Sequence, residues 1–311
     1  MNDDTARIRA GLAYGITAYG LWGLMPLYFN AMKSVPPFEI LADRIIGSLV
    51  CLALLLTVTR RWSVIYTALA APATRRLILL STVLIGINWY LFVYAIVTQQ
   101  VLQTSVGYFI TPLISAWFGR LLFGEQLRLA QGMAIACATV GVAVMASAAG
   151  GIPALALGLA FSFGLYGVVR KAMPVDGITG LTLESALLTP PAVAYLAYQA
   201  AHGSMWFPGP EPVANAFVLL SGLVSSVPLV CFAASAQRLP LTMLGFVQYL
   251  SPSLAFILAL TVLGETIVPV KVLAFACIWA GVAIFAFDAV RSRRKPQPAL
   301  PDEAVPVRAS A

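Results

Sequence analysis

Four ionisable side chains stand where the surrounding sequence is apolar: Glu39, Asp43 and Arg44 in EILADRIIG, and Glu184 in ITGLTLESALL. Glu39 and Asp43 are spaced i, i+4 and share a helix face, and Arg44 lies to one side within snorkelling reach. Such groups can neutralise one another and fix the register of a helix. They can also gate a path or load and release protons. Glu184 has no basic residue nearer in sequence than Lys171, so it needs a partner or a proton. A second set can hydrogen-bond and stack: Trp22, Asn88, Trp89, Tyr108, Tyr166, Gln248 and Tyr249. These are the candidate substrate-binding residues, because an apolar pocket with a few placed polar groups suits a small amphipathic solute. The competing roles are interfacial belts for the aromatics and helix-to-helix contacts for the amides. The single histidine, His202, stands outside any HExxH, and neither a Walker lysine motif nor GxSxG occurs. No catalytic residue, cofactor or metal is assigned. Four cysteines without short mutual spacing suggest neither a disulfide framework nor a zinc site.

The elements that position these residues follow from composition. The 311 residues are 60% hydrophobic and 10% charged, against about a quarter charged in a soluble domain. That balance belongs in a membrane. Spans of about 20 apolar residues are predicted over 11–30, 40–59, 77–98, 101–123, 129–148, 152–169, 178–200, 213–236, 241–263 and 270–290. Backbone polar groups in lipid must be satisfied internally, and uninterrupted runs exclude the alternation of barrel strands. The expected fold class is all-α and polytopic, with ten transmembrane helices. With the N-terminus inside, only Lys33 and Lys271 of the 19 basic residues fall in outer loops and only Arg44 in a helix. That asymmetry puts both termini in the cytoplasm. It also explains the net charge of +7 through anionic lipid, with no call on nucleic acid.

Internal symmetry divides the chain. FITPLISAWFGRLLFGE and YLSPSLAFILALTVLGE superimpose Pro112 on Pro252, Gly124 on Gly264 and Glu125 on Glu265, and GLWG at 20–23 echoes GLYG at 164–167. Under a shift of 145, Glu39 falls opposite Glu184. The expected organisation is a cytoplasmic segment 1–10, a first five-helix repeat 11–148, a second 152–290, and a basic, disordered cytoplasmic tail 291–311. Five is odd, so the second copy enters the membrane inverted, as in many transporters whose halves rock around a midplane site. Pro112 and Pro252 kink their helices and are candidate hinges. The Gly-Glu pairs read as helix ends, the glutamate near the positive N-terminus of the next helix.

Five stretches, LIGINW (84–89), GYFITPL (107–113), ALGLAFSFGLYGVVRK (156–171), VPLVCF (227–232) and LGFVQYLSP (244–252), resemble the RarD proteins of the EamA branch of the drug/metabolite transporter superfamily. The resemblance spans about 11–290. It implies a five-plus-five inverted-repeat carrier in a bacterial inner membrane, exporting or importing a small metabolite or drug. The expected partners are a small-molecule substrate and the lipid bilayer, with proton coupling as one energy source. The alternatives are an intramembrane enzyme using Glu39, Asp43 and Glu184, or a non-transporting scaffold. Cargo, direction and oligomeric state have no sequence signal.

Overall fold

Apolar runs in lipid must close their own hydrogen bonds, and the computed structural model is correspondingly helical. It describes residues 2–98, 100–148, 154–262 and 269–293, and no strand occurs among them. The helices are α1 (Asn2–Gly23), α2 (Met25–Ala31), α3 (Pro37–Val58), α4 (Trp62–Ala70), α5 (Pro72–Val97), α6 (Val101–Phe123), α7 (Leu129–Ala148), α8 (Ala154–Ala172), α9 (Gly177–Ala201), α10 (Pro212–Ala236), α11 (Leu241–Gln248), α12 (Leu250–Thr261) and α13 (Pro269–Arg293). Among the described residues, eight spans are long and apolar enough to cross a membrane: α3, α5, α6, α7, α8, α10, α11 with α12, and α13. The α9 helix is not among them. Its Thr179, Thr182, Glu184 and Ser185 are buried against protein.

Prolines account for two breaks that the apolar pattern does not show. Proline supplies no N–H to the carbonyl four residues earlier, and its ring crowds that carbonyl. Pro26 thus ends the first expected span at Leu24, where α1 gives way to α2, and Pro252 separates α11 from α12 at Tyr249. Pro112 lies inside an unbroken α6. Three further departures are local. Helix α1 already runs through the expected segment 1–10, α4 forms in an expected loop, and α13 continues three residues into the expected tail. Gly264, Glu265 and the tail from 294 lie outside the described residues.

Helix α13 packs on α7, α6 on α8 and α11, and α3 on α9 and α10. The α7–α13 crossing is symmetric. A Cβ on Gly141 would stand 2.7 Å from the Ala274 carbonyl, and one on Gly281 2.6 Å from the Ala134 carbonyl. A shift of 140 exchanges the two contacts, and they run antiparallel: as α7 advances from 134 to 141, its partner falls from 281 to 274. Only glycine allows this approach.

Candidate functional site

A cavity of about 520 Å³ opens in the half of the bundle that holds the C-terminal ends of α5 and α12 and the N-terminal ends of α6, α8 and α13. Of the seven residues expected to bind substrate, Trp22, Asn88, Trp89, Tyr108 and Gln248 line it, and so do Arg44 and Pro252. Three of them share a spacing to proline. Trp22, Tyr108 and Gln248 each stand four residues before a proline (Pro26, Pro112 and Pro252), so each has a carbonyl deprived of its usual helical donor. The proline spacing was visible in the sequence. Pro26 carries no echo of the kind that links Pro112 to Pro252, since the position 144 residues on is Arg170.

Polar groups in the wall have defined vacancies. Both N–H groups of Asn88 are used, at 3.0 Å from the Leu159 carbonyl and 3.0 Å from Ser162 Oγ, so its oxygen is the group left over. Gln248 is buried, and its amide makes no hydrogen bond within the described protein. Arg44 donates through Nε to Ser225 Oγ at 2.7 Å and lies over the Trp89 ring, 5.7 Å from its centroid. Its acidic neighbours in sequence do not neutralise it. Glu39 is fully buried and accepts the Trp206 backbone N–H at 2.9 Å, and neither it nor Asp43 comes within 4 Å of Arg44 as an ion pair. Glu39 Oε1, Asp43 Oδ2 and the Tyr28 hydroxyl are buried without a hydrogen-bond partner among the described residues. The expected self-neutralising cluster is therefore a carboxylate tied to the 202–211 loop and an arginine turned to the cavity.

Tyr166, Tyr249 and Glu184 lie away from the cavity lining. Tyr249 is buried, its hydroxyl 3.3 Å from the Phe109 carbonyl. Tyr166 stacks on Phe232 with centroids 5.7 Å apart. Its hydroxyl donates to Glu184 at 3.1 Å and accepts from Arg170 Nε at 3.0 Å, while Arg170 and Glu184 pair at 3.3 Å. Arg170 is 0% and Glu184 1% exposed. Glu184 therefore has a partner, and Arg170 is not the loop residue its place beside Lys171 suggested.

More polar contacts tie this packed half of the bundle together. Gly124 takes the left-handed conformation (φ +63°) that ends α6, and Glu125 then reaches the N-terminus of α11, accepting the N–H groups of Leu241 at 2.6 Å and Thr242 at 3.0 Å. The helix it caps is not the next one in sequence. Gly119 makes room for that carboxylate, since a Cβ there would come within 2.6 Å of it. Gln237 bonds the carbonyls of Met173 and Val175, and Lys171 that of Leu239. Asp176 caps α9 through the Thr179 N–H and pairs with Arg61 at 2.6 Å. Burial alone would raise the Asp176 pKa, but these hydrogen bonds and the Arg61 charge outweigh it and hold the carboxyl below its ordinary value.

The model of the EamA-like transporter family matches the chain twice, over residues 9–147 and 152–287. The chain belongs to the EamA-like transporter family. It is 40% identical to Protein RarD of Escherichia coli (strain K12) over 293 residues, covering 94% of this chain and 99% of the relative. It is 38% identical to Protein RarD of Streptomyces exfoliatus, covering 92% and 91%, and 38% identical to an uncharacterized transporter of Vibrio cholerae, covering 94% and 97%. A crystal structure with a TM-score of 0.71 and 19% identity, covering 91% of this chain and 99% of its own, shares the fold. An EamA-like chain with these apolar helices is a multi-pass membrane transporter. Among the described residues no cluster of His, Cys, Asp and Glu could hold a metal.

Proposed function

We propose that the chain is a secondary transporter that moves a small organic solute by alternating access, across a ten-helix bundle of two inverted five-helix repeats in a bacterial inner membrane. Both termini are cytoplasmic, so the cavity faces outward and the packed half faces the cytoplasm. The observation that carries this reading is the unequal environment of equivalent residues. Trp22 and Phe29 line the cavity, whereas Tyr166 and Met173, 144 positions on, are sealed in the packed half. Exchanging the two repeat conformations closes the first end and opens the second. Glu184 and Arg170 belong to the closed end, and Pro112 and Pro252 act as the kinks about which it opens. No nucleotide motif is present to drive the cycle, so a gradient does.

Sealed vesicles containing the purified protein and loaded with a metabolite extract test this. A transporter releases one or more solutes that protein-free vesicles retain. An intramembrane enzyme would instead change a solute without needing a sealed compartment, and a scaffold would do neither.

A further inference from the structure

We propose that the transported solute is an aromatic carboxylate and that Arg44 is the group that grips its anion; this rests on the transporter reading above. Of the two cations in the cavity wall, Lys271 already has a partner, whereas Arg44 faces a lining that contains, among the described residues, no aspartate or glutamate. Arg44 is half-buried, and neither its hydrogen bond to Ser225 nor its contact with Trp89 brings a counter-charge, so a ligand that supplies one is favoured over a neutral isostere. The structure orients Arg44 for that task. Ser225 spends its hydroxyl proton on the Ser221 carbonyl at 2.7 Å, which leaves its oxygen to accept from Arg44 Nε at 2.7 Å. The Trp89 ring supports the guanidinium from one side. Its two terminal nitrogens make no hydrogen bond or ion pair within the described protein, and a guanidinium edge matches a carboxylate in bidentate geometry.

The rest of the wall specifies the body of the ligand. Trp22, Phe29, Phe92, Phe163 and Phe256 give flat apolar faces, which favour an aromatic ring through offset and edge contacts. The Asn88 oxygen, its amide donors already committed, accepts a hydroxyl or N–H on that ring. A volume of about 520 Å³ is within the usual range for small-molecule sites, about 300–1,000 Å³.

Calorimetric titration of the full chain in detergent tests the headgroup with three matched probes: 4-hydroxyphenylacetate, 4-hydroxyphenylacetamide and tyramine. They share a ring and a hydroxyl and differ in charge. The carboxylate is expected to bind roughly tenfold or more tightly than the amide, and tyramine the most weakly. In Arg44→Gln the carboxylate should fall to the level of the amide. Parity of carboxylate and amide in the unmodified chain, a preference for tyramine, or no binding of any probe at millimolar concentration overturns the assignment. The unmodified chain alone decides between these results, so poor folding of the variant does not blunt the test. A failure here leaves vesicle release intact, whereas a chain that binds the carboxylate but releases nothing from vesicles refutes transport and keeps the site.

Discussion

Glu125→Gln should loosen the closed end without touching the cavity. The carboxylate takes two backbone N–H groups at the start of α11, 2.6 and 3.0 Å away, from a half-buried position. Hydrogen bonds to a charged group are worth about 1.5–3 kcal/mol, and a charge at a helix N-terminus adds about 0.3–1 kcal/mol. Glutamine keeps one neutral acceptor, and partial exposure screens the rest, so the expected loss is about 1–2 kcal/mol. If the contact exists only while the end is closed, that loss raises the open population roughly 5- to 30-fold. The reporter is Leu244→Cys, at a position 2% exposed in α11, in a chain whose four native cysteines are replaced by serine. A membrane-impermeant maleimide supplied from the cytoplasmic face should react with it faster in the Glu125→Gln background by that factor. An unchanged rate would refute the view that Glu125 holds this end shut.

Removing Glu184 alone, as Glu184→Leu, strands the Arg170 guanidinium and should cost about 3–5 kcal/mol, whereas Arg170→Met with Glu184→Leu should come close to the parent; denaturation midpoints in detergent measure both, and equal losses would remove the pair from the closed end. Gln248→Leu should weaken solute release from vesicles at normal expression, and Asn88→Leu should do so with an added stability loss, because Asn88 also ties α5 to α8; unchanged release by both would make them packing residues. Because the folded Asp176 carboxyl is held below its ordinary value, its stabilising contribution is complete above about pH 4 and disappears as pH falls through the folded pKa. The gap in melting temperature between the parent and Asp176→Asn should therefore stay constant from pH 5 to 8 and close only in stronger acid; a gap that varies near neutrality would contradict the clamp. Movement of 4-hydroxyphenylacetate should respond to a potassium diffusion potential, since 100 mV is worth about 2.3 kcal/mol on a single charge; indifference to the potential would point to co-transport of a proton.

What could be read from the chain was what lipid enforces. Long apolar runs could only be helices, and the echo of Pro112 in Pro252 and of GLWG in GLYG raised the expectation of a repeat, with the family model matching the chain twice. Five cavity residues were legible for a related reason: a polar or aromatic group deep in an apolar span needs protein or a cavity around it. Partner choice was not legible. Arg44 sits one residue from Asp43, yet its hydrogen bond goes to Ser225, 181 positions away, and Arg170 looks like a loop cation until α9 brings Glu184 against it. Nor could sequence separate Trp22 from Tyr166. They occupy matching places in GLWG and GLYG, 144 positions apart, and only packing shows which of them lines a cavity. The α4 helix was missed because its nine residues are too few to mark a span.

The two-sided accessibility of the bundle tests alternating access most directly. Ser105→Cys, on the cavity wall, and Leu244→Cys, in the packed half, are placed separately in the cysteine-replaced chain and exposed to an impermeant maleimide in right-side-out and inside-out vesicles. The expected result is reaction of Ser105→Cys from the outside only and of Leu244→Cys, more slowly, from the cytoplasmic side only. Reaction of both from the same face, or no reaction of Leu244→Cys from either, would contradict a carrier that opens its two ends in turn.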